Sequence, residues 1–440
     1  MNFGDAVLNV SIVDGWVSLL TYAGALIAFG FVAAKHLTLR WARFGALLFL
    51  GGAALGAGLV FLVNQLRVFG APVEPGVWWW VPAVSGALAV TAANLVRARW
   101  WRRLLAVLAG IAILAAGAIG VNSAYGLNPT LGSLLGISTA QAVRLPPNVS
   151  KNASVSGDDP HRPLAAQWSP PSDMPTKGAR GLIPGGIPNT VSNFAARTPE
   201  IYLPPAALTA NPPKLPLMVM MMGQPGFPDV GPIADALDKL AAANHGLAPI
   251  VIVVDQLGAP TNDPLCLNSK RGQVEDYVMR DVLPWAFAHL AVRADAAHTT
   301  VAGYSNGGMC AAYFGAKYPA VFGNLVAISP EEFAGADNAT RTLADVFGGN
   351  RAAYDAIKPR TIMERTGTYS DSFAVFTHGS ADGTYGPGAT RLAETAHDHG
   401  MATTLFVIPG AGHVGPALSG GLDRALAALF PRLGLLVGAG

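Results

Sequence analysis

The stretch AGYSNGGMC, residues 302–310, sets Ser305 between Gly303 and Gly307. This G-x-S-x-G spacing fits a serine held on a sharp strand-to-helix turn, with neighbours small enough for chains to approach. A serine hydroxyl is a poor nucleophile until a base takes its proton. Asp382, in THGSADGTYG, and His413, in PGAGHVGP, follow the serine in the order such a site needs. The chemistry would be acyl transfer. His413 takes the Ser305 proton and returns one to the leaving group, while Asp382 orients the imidazole and stabilises its cation. Other candidates fit less well. His378 lies inside a strand, His397, His399 and Asp398 fall on the polar helix LAETAHDHG, and Asp371 precedes its strand.

Acyl transfer also needs hydrogen-bond donors for a tetrahedral oxyanion. The backbone N–H of Asn306, the residue after the nucleophile, is one. The second should come from the loop MGQPGFPD, where Gln224 is the first choice and Gly223 the next; Pro225 has no N–H to give. The two cysteines are Cys266, in NDPLCLNS, and Cys310, one turn beyond Ser305. An outward-facing domain lies in an oxidising compartment, so a Cys266–Cys310 disulfide is expected; two separate buried thiols are the alternative. No HExxH, calcium loop or phosphate loop occurs, so no metal and no nucleotide or other cofactor is expected.

These groups need a scaffold. LPLMVMMMG, APIVIVVD, TTVAGY, NLVAISP, FAVFTHG and ATTLFVIPG are apolar runs of strand length, and amphipathic segments separate them. Such runs are consistent with strands buried on both faces of a parallel sheet. Strands alternating with helices predict a doubly wound, mostly parallel sheet over residues 193–440, with EIYLPP as an edge strand. The strand TTVAGY runs straight into Ser305 and a helix leaves from it, which is the context the elbow requires. VEDYVMRDVLPWAFAHLA should be a helix bent or broken before Pro284.

The chain has 440 residues, is 51% hydrophobic and carries only 13% charged residues, against about 25% in an ordinary soluble chain. The excess lies at the N-terminus. Residues 15–34, 44–66, 77–96 and 104–121 are four uncharged segments of about the 20 residues that cross a bilayer core. They predict a four-helix transmembrane domain over 1–121. The absence of ionisable residues inside them favours an anchor over an ion or proton path. No Lys or Arg precedes Gly15, so a cleaved leader is not expected. Lys35, Arg40 and Arg43 mark the first connection as cytoplasmic, and Arg97, Arg99, Arg102 and Arg103 mark the third. Both ends of a plasma-membrane, multi-pass chain would then face outward. Residues 122–192, rich in Pro, Gly and Ser, read as a linker or irregular arm. Net charge is +2 with no basic, aromatic-interleaved run, so no nucleic-acid partner is expected.

Residues 193–431 resemble the esterase D-like branch of the α/β-hydrolases, which includes the secreted mycolyltransferases of actinobacteria. The resemblance rests on YLPPA, LPLMVMMMGQPGFPD, DPLCLNS, YVMRDVLPWA, GYSNGGMCAAYFGAKYP, GSADGTYG and PGAGHVG. The paired cysteines and GQPG look most like a membrane-anchored, actinobacterial subset. Two departures are visible: Gln224-Pro225 replaces a common His-Gly, and Asp382 stands where the mycolyltransferases use glutamate. The resemblance thus implies a general serine esterase or acyltransferase. Its expected substrate is an acyl ester of a cell-envelope lipid or acylated glycan, met beside membrane lipid. The alternatives are a binding or scaffold module that keeps the fold, and a transporter with an attached domain.

Overall fold

The computed structural model describes residues 3–13, 15–34, 38–66, 73–96, 98–125, 128, 130–134, 139–146 and 162–436. The expectations for Lys35 and Arg97, and for the part of the linker over 147–161, lie outside them. The chain divides into two compact units, Met1–Thr139 and Ala140–Gly440.

The first unit holds the helices Trp16–Ala33, Leu39–Gln65, Val77–Ala93 and Trp100–Tyr125. Three are long and apolar enough to cross a membrane, with mean hydropathy of 1.8, 2.4 and 2.6; Val77–Ala93, at 17 residues, is shorter. The second and fourth run beyond the apolar segments expected for them and carry Arg40, Arg43, Arg102 and Arg103 on their ends. Large apolar side chains face outward: Leu55 is 78% exposed and Ile27 73%. Helix contact is made by small residues. A Cβ on Gly52 would lie 2.6 Å from the Ser85 carbonyl oxygen, and one on Gly86 would lie 2.7 Å from that of Phe49. The close contact at Gly52 and Gly56 is therefore with the helix Val77–Ala93. Asn64 and Asn94 bond to nearby backbone. Before the first long helix, Val10 accepts from the Leu131 N–H at 3.1 Å and Ser11 pairs with Thr130. The segments entering and leaving the bundle thus meet.

The second unit is built on eight strands of one sheet: β1 Ala179–Leu182, β2 Glu200–Leu203, β3 Leu217–Met221, β4 Ile250–Val254, β7 Thr299–Tyr304, β8 Asn324–Ile328, β9 Phe373–Gly379 and β10 Ala402–Ile408. A separate hairpin supplies β5, Asn268–Ser269, and β6, Gly272–Gln273. The sheet order is β1-β2-β4-β3-β7-β8-β9-β10, with β1 and β2 antiparallel and the other six parallel. Every residue of β3, β4 and β8 is buried, as uninterrupted apolar runs require. The helices Gly231–Ala243 and Pro416–Arg432 pack together; so do Asn306–Lys317, Pro359–Thr366 and Gly386–Asp398. The segment before Pro284 is not a simple break: Tyr277–Val282 is a π-helical turn leading into Leu283–His289.

Described residues of the stretch 122–192 belong to both units. The last long helix continues to Tyr125, the unit boundary falls at Thr139, and β1 forms within the Pro/Gly-rich stretch. Leu164 and Ile183 are 5% and 1% exposed, and the Val143 N–H donates to Leu182. The second compact unit begins at Ala140. An edge strand needs partners along only one side, so a few apolar anchors hold a segment whose composition reads as irregular.

Glu200, at the start of β2, is 8% exposed and accepts the Val230 N–H at 3.0 Å. Burial, with the Asp229 charge adding and the Val230 bond opposing, pushes its pKa up to about 7. Folding thus favours the protonated acid. That contribution is complete below the ordinary carboxylate range and is lost as pH rises through about 7. The Tm of the full chain in detergent should fall between pH 5 and 8. Glu200→Gln, whose amide oxygen still accepts from Val230, should remove part of that fall, worth about 3 kcal/mol. An unchanged slope would show that Glu200 ionises without penalty.

Candidate active site

Ser305 lies between β7 and the helix Asn306–Lys317 with φ 55° and ψ −118°, in the left-handed region that a serine rarely adopts. Its N–H donates to the Ile328 carbonyl of β8 at 2.9 Å. The flanking glycines are required by crossing backbone. A Cβ on Gly303 would fall on the Gly307 carbonyl, and one on Gly307 would fall on that of Met221 at the end of β3. The sheet order reverses around β3, so the crevice at its carboxyl end is where an open sheet gathers ligands.

His413, in the loop beyond β10, brings Nε2 to 2.8 Å from the Ser305 Oγ. Its Nδ1 is 2.8 Å from Oδ2 of Asp382, in the loop beyond β9. A neutral imidazole protonated on Nδ1 satisfies both contacts, leaving Nε2 to accept from the serine. Burial opposes ionisation of Asp382. The hydrogen bond from His413 and the N–H groups of Tyr385 and Thr384 outweigh it, so its pKa lies below the ordinary carboxylate value. The imidazole lies between two aromatic rings. Tyr385 is 4.3 Å away and Tyr304 5.9 Å, centroid to centroid, and the Tyr304 hydroxyl donates to the His413 carbonyl at 2.9 Å.

Asn306 is the first residue of its helix, where a backbone N–H has no intrahelical acceptor. Gly223 follows β3 across the serine: a Cβ on it would lie 3.4 Å from the Ser305 Cβ. Gln224 turns its side-chain amide away, to the carbonyls of Thr261 and Asn262 at 2.9 and 2.7 Å. Its backbone N–H is then the part left for an oxyanion. Cys266 and Cys310 form a disulfide with Cα atoms 5.5 Å apart. His378 stays within β9 and bonds to the Gly379 carbonyl. Among the described residues no group of three or more His, Cys, Asp or Glu is arranged to hold a metal.

Sequence reasoning missed the residues around Asn306. Its Nδ2 donates to Asp263 at 3.3 Å and its Oδ1 accepts from Gln256 at 3.2 Å. Glu331, just beyond β8, is buried. Burial, then the charges of Asp337 and Asp263, push its pKa well up, and a hydrogen bond with Asn306 opposes this. Tyr385 also donates to Asp337 at 3.0 Å. None of these had a signal at a fixed spacing from the serine.

With this geometry and fold, the second unit is an α/β-hydrolase domain similar to those of carboxylic ester hydrolases. Residues 195–373 match the family described as "Putative esterase". A relative in Corynebacterium glutamicum, itself described as uncharacterized, is 28% identical over 422 residues, spanning 92% of this chain and 93% of its own. Among solved structures, an S-formylglutathione hydrolase from Agrobacterium tumefaciens is 17% identical, covering 59% of this chain and 98% of its own with a TM-score of 0.46. The fluorophosphonate-binding serine hydrolase F of Staphylococcus aureus is 13% identical, covering 57% and 98%, also with a TM-score of 0.46.

Proposed function

We propose that the chain is a membrane-anchored, extracytoplasmic serine esterase or acyltransferase. The observation that carries this reading is the hydrogen-bonded series Ser305–His413–Asp382, at 2.8 and 2.8 Å. Ser305 Oγ attacks the ester carbonyl as His413 Nε2 takes its proton. The oxyanion accepts hydrogen bonds from the N–H of Asn306 and that of Gln224, with Gly223 the second candidate. The intermediate collapses, His413 protonates the departing alcohol, and an acyl group remains on Ser305. Water or an acceptor alcohol then gives His413 its proton and attacks the acyl group, and the acyl–Oγ bond breaks as His413 returns that proton to Ser305. Water yields a free acid and an alcohol yields a new ester, which is the whole difference between hydrolysis and transfer.

The membrane part of the reading rests on the apolar helices. The contact of Val10 and Ser11 with Leu131 and Thr130 supports an entry and exit of the bundle at one end. That supports an even number of crossings, so Val77–Ala93 is counted with the three longer helices. The arginines at the other end support the assignment of that end to the cytoplasm. The domain organisation that follows is a membrane unit through residue 139 and an outward hydrolase unit from 140. An anchored enzyme acts on what lies near the membrane, so the substrate class is an acyl ester of an envelope lipid or glycan.

One probe tests chemistry and orientation together. A charged, membrane-impermeant fluorophosphonate should label the chain on intact cells, and mass spectrometry should place the adduct on Ser305. Labelling only after lysis would invert the orientation. No adduct in either preparation would leave a scaffold without catalysis.

A further inference from the structure

We propose that Gln256 is a positioning residue that holds the two oxyanion donors in register; this rests on the esterase reading above. The donors belong to separate elements, the loop after β3 and the first turn of the nucleophile helix. Their separation decides whether both reach one oxygen, and an error of about 1 Å in such a site costs on the order of 100-fold in rate. Two links join the elements. One is backbone: the Gly307 N–H donates to the Met222 carbonyl at 3.1 Å. The other is Gln256, in the loop beyond β4. Its Nε2 donates to the same Met222 carbonyl at 2.5 Å and to Asn306 Oδ1 at 3.2 Å.

The geometry is specific to an amide with two donors. Nε2 has two hydrogens, one for each element. The direction of the series is fixed at both ends by groups that only accept. Met222 offers a carbonyl, and Asp263 offers Oδ1 to the Asn306 Nδ2 at 3.3 Å. Between two acceptors, the amides of Gln256 and Asn306 can satisfy every contact in only one orientation. Gln256 is 2% exposed, so water does not replace a lost bond there. Its own backbone is held by the preceding residue. Asp255 is paired with Arg197 at 2.6 Å and accepts the N–H groups of Leu257 and Gly258, both at 3.1 Å. Gln256 thus reaches from a fixed loop to both elements that carry the proposed oxyanion donors.

The test is Gln256→Leu in the full chain, which keeps the volume and removes both donors. On a short acyl ester, kcat should fall roughly 10- to 100-fold, with KM within about twofold and the shape of the pH profile unchanged, since His413 keeps its partners. Affinity for a trifluoromethyl ketone, which forms the tetrahedral oxyanion with the serine, should weaken by the same factor as kcat. Asn306→Ala cuts the same link from the other side and keeps its backbone N–H. Its loss should match, and the double variant should be no worse than the more severe single one. If Gln256→Leu does not fold, Asn306→Ala carries the same readouts alone. Wild-type kcat and ketone affinity in a folded variant would overturn the role of Gln256 while leaving the esterase intact. So would a loss of kcat without weakened ketone binding. A wild type that neither labels nor cleaves ester would overturn both readings.

Discussion

Ser305→Ala is expected to cleave ester about 10⁶-fold more slowly than the wild type, and His413→Ala to be about as slow. The two act as one unit, because the imidazole is 2.8 Å from the hydroxyl it must deprotonate. Without the serine the base has nothing to activate, and without the base the serine keeps its proton. The double variant should therefore be no slower than either single one. Asp382→Asn should cost less, about 10⁴-fold in kcat. Its amide can still lie beside Nδ1, 2.8 Å away in the native enzyme. An amide nitrogen there donates, which favours the tautomer with the hydrogen on Nε2, and that nitrogen then cannot accept from Ser305. KM should change little in all of these, since the three groups act on the transition state. Steady-state kinetics with a short acyl ester measures the series. Additive losses, or a Ser305→Ala enzyme with near-native turnover, would end the triad assignment.

Removing the disulfide should have the largest effect on stability. Cys266 and Cys310 are 44 residues apart in sequence, and releasing a loop of that size restores about 4 kcal/mol of chain entropy to the unfolded state. Cys266→Ala/Cys310→Ala is the suitable variant, because both positions are nearly inaccessible and serine would bury two hydroxyls. Its Tm should fall by several degrees in detergent, and a thiol reductant should destabilise the wild type but not the variant. The link also bears on the site. Cys310 is one turn past Asn306, and Cys266 follows Asp263 by three residues, so the disulfide fastens the Asp263 loop to the nucleophile helix. A several-fold fall in kcat at temperatures where the variant is folded is expected. Equal Tm values with and without the link would show that it constrains nothing the fold does not already fix.

The parallel core was legible because its signal is local. LMVMM, IVIVV and NLVAI are apolar at every position and become β3, β4 and β8, buried throughout. Ser305, Asp382 and His413 were legible for a related reason: each follows a strand that could be recognised, so chain order alone placed them at one edge. β1 was not legible. ARGL carries one buried residue, and what makes it a strand is pairing with the outer edge of β2, about twenty residues on. Gln256 and Glu331 were hidden differently. Each is an ordinary polar residue just beyond a strand, and its meaning comes from Asn306, brought near only by the fold. The extended helix Trp100–Tyr125 shows a third limit, since apolar content marks a lipid-facing stretch and not the helix that contains it.

The meeting of Ser11 with Thr130 bears on modularity. A bundle whose chain enters and leaves at one end behaves as a self-contained insert. In the proposed topology the chain returns after an even count of crossings, and four helices satisfy a parity that three would break. Under that proposal, such a unit could be lengthened by helix pairs, or exchanged for another even bundle, without reversing the side proposed for residue 140 and everything after it.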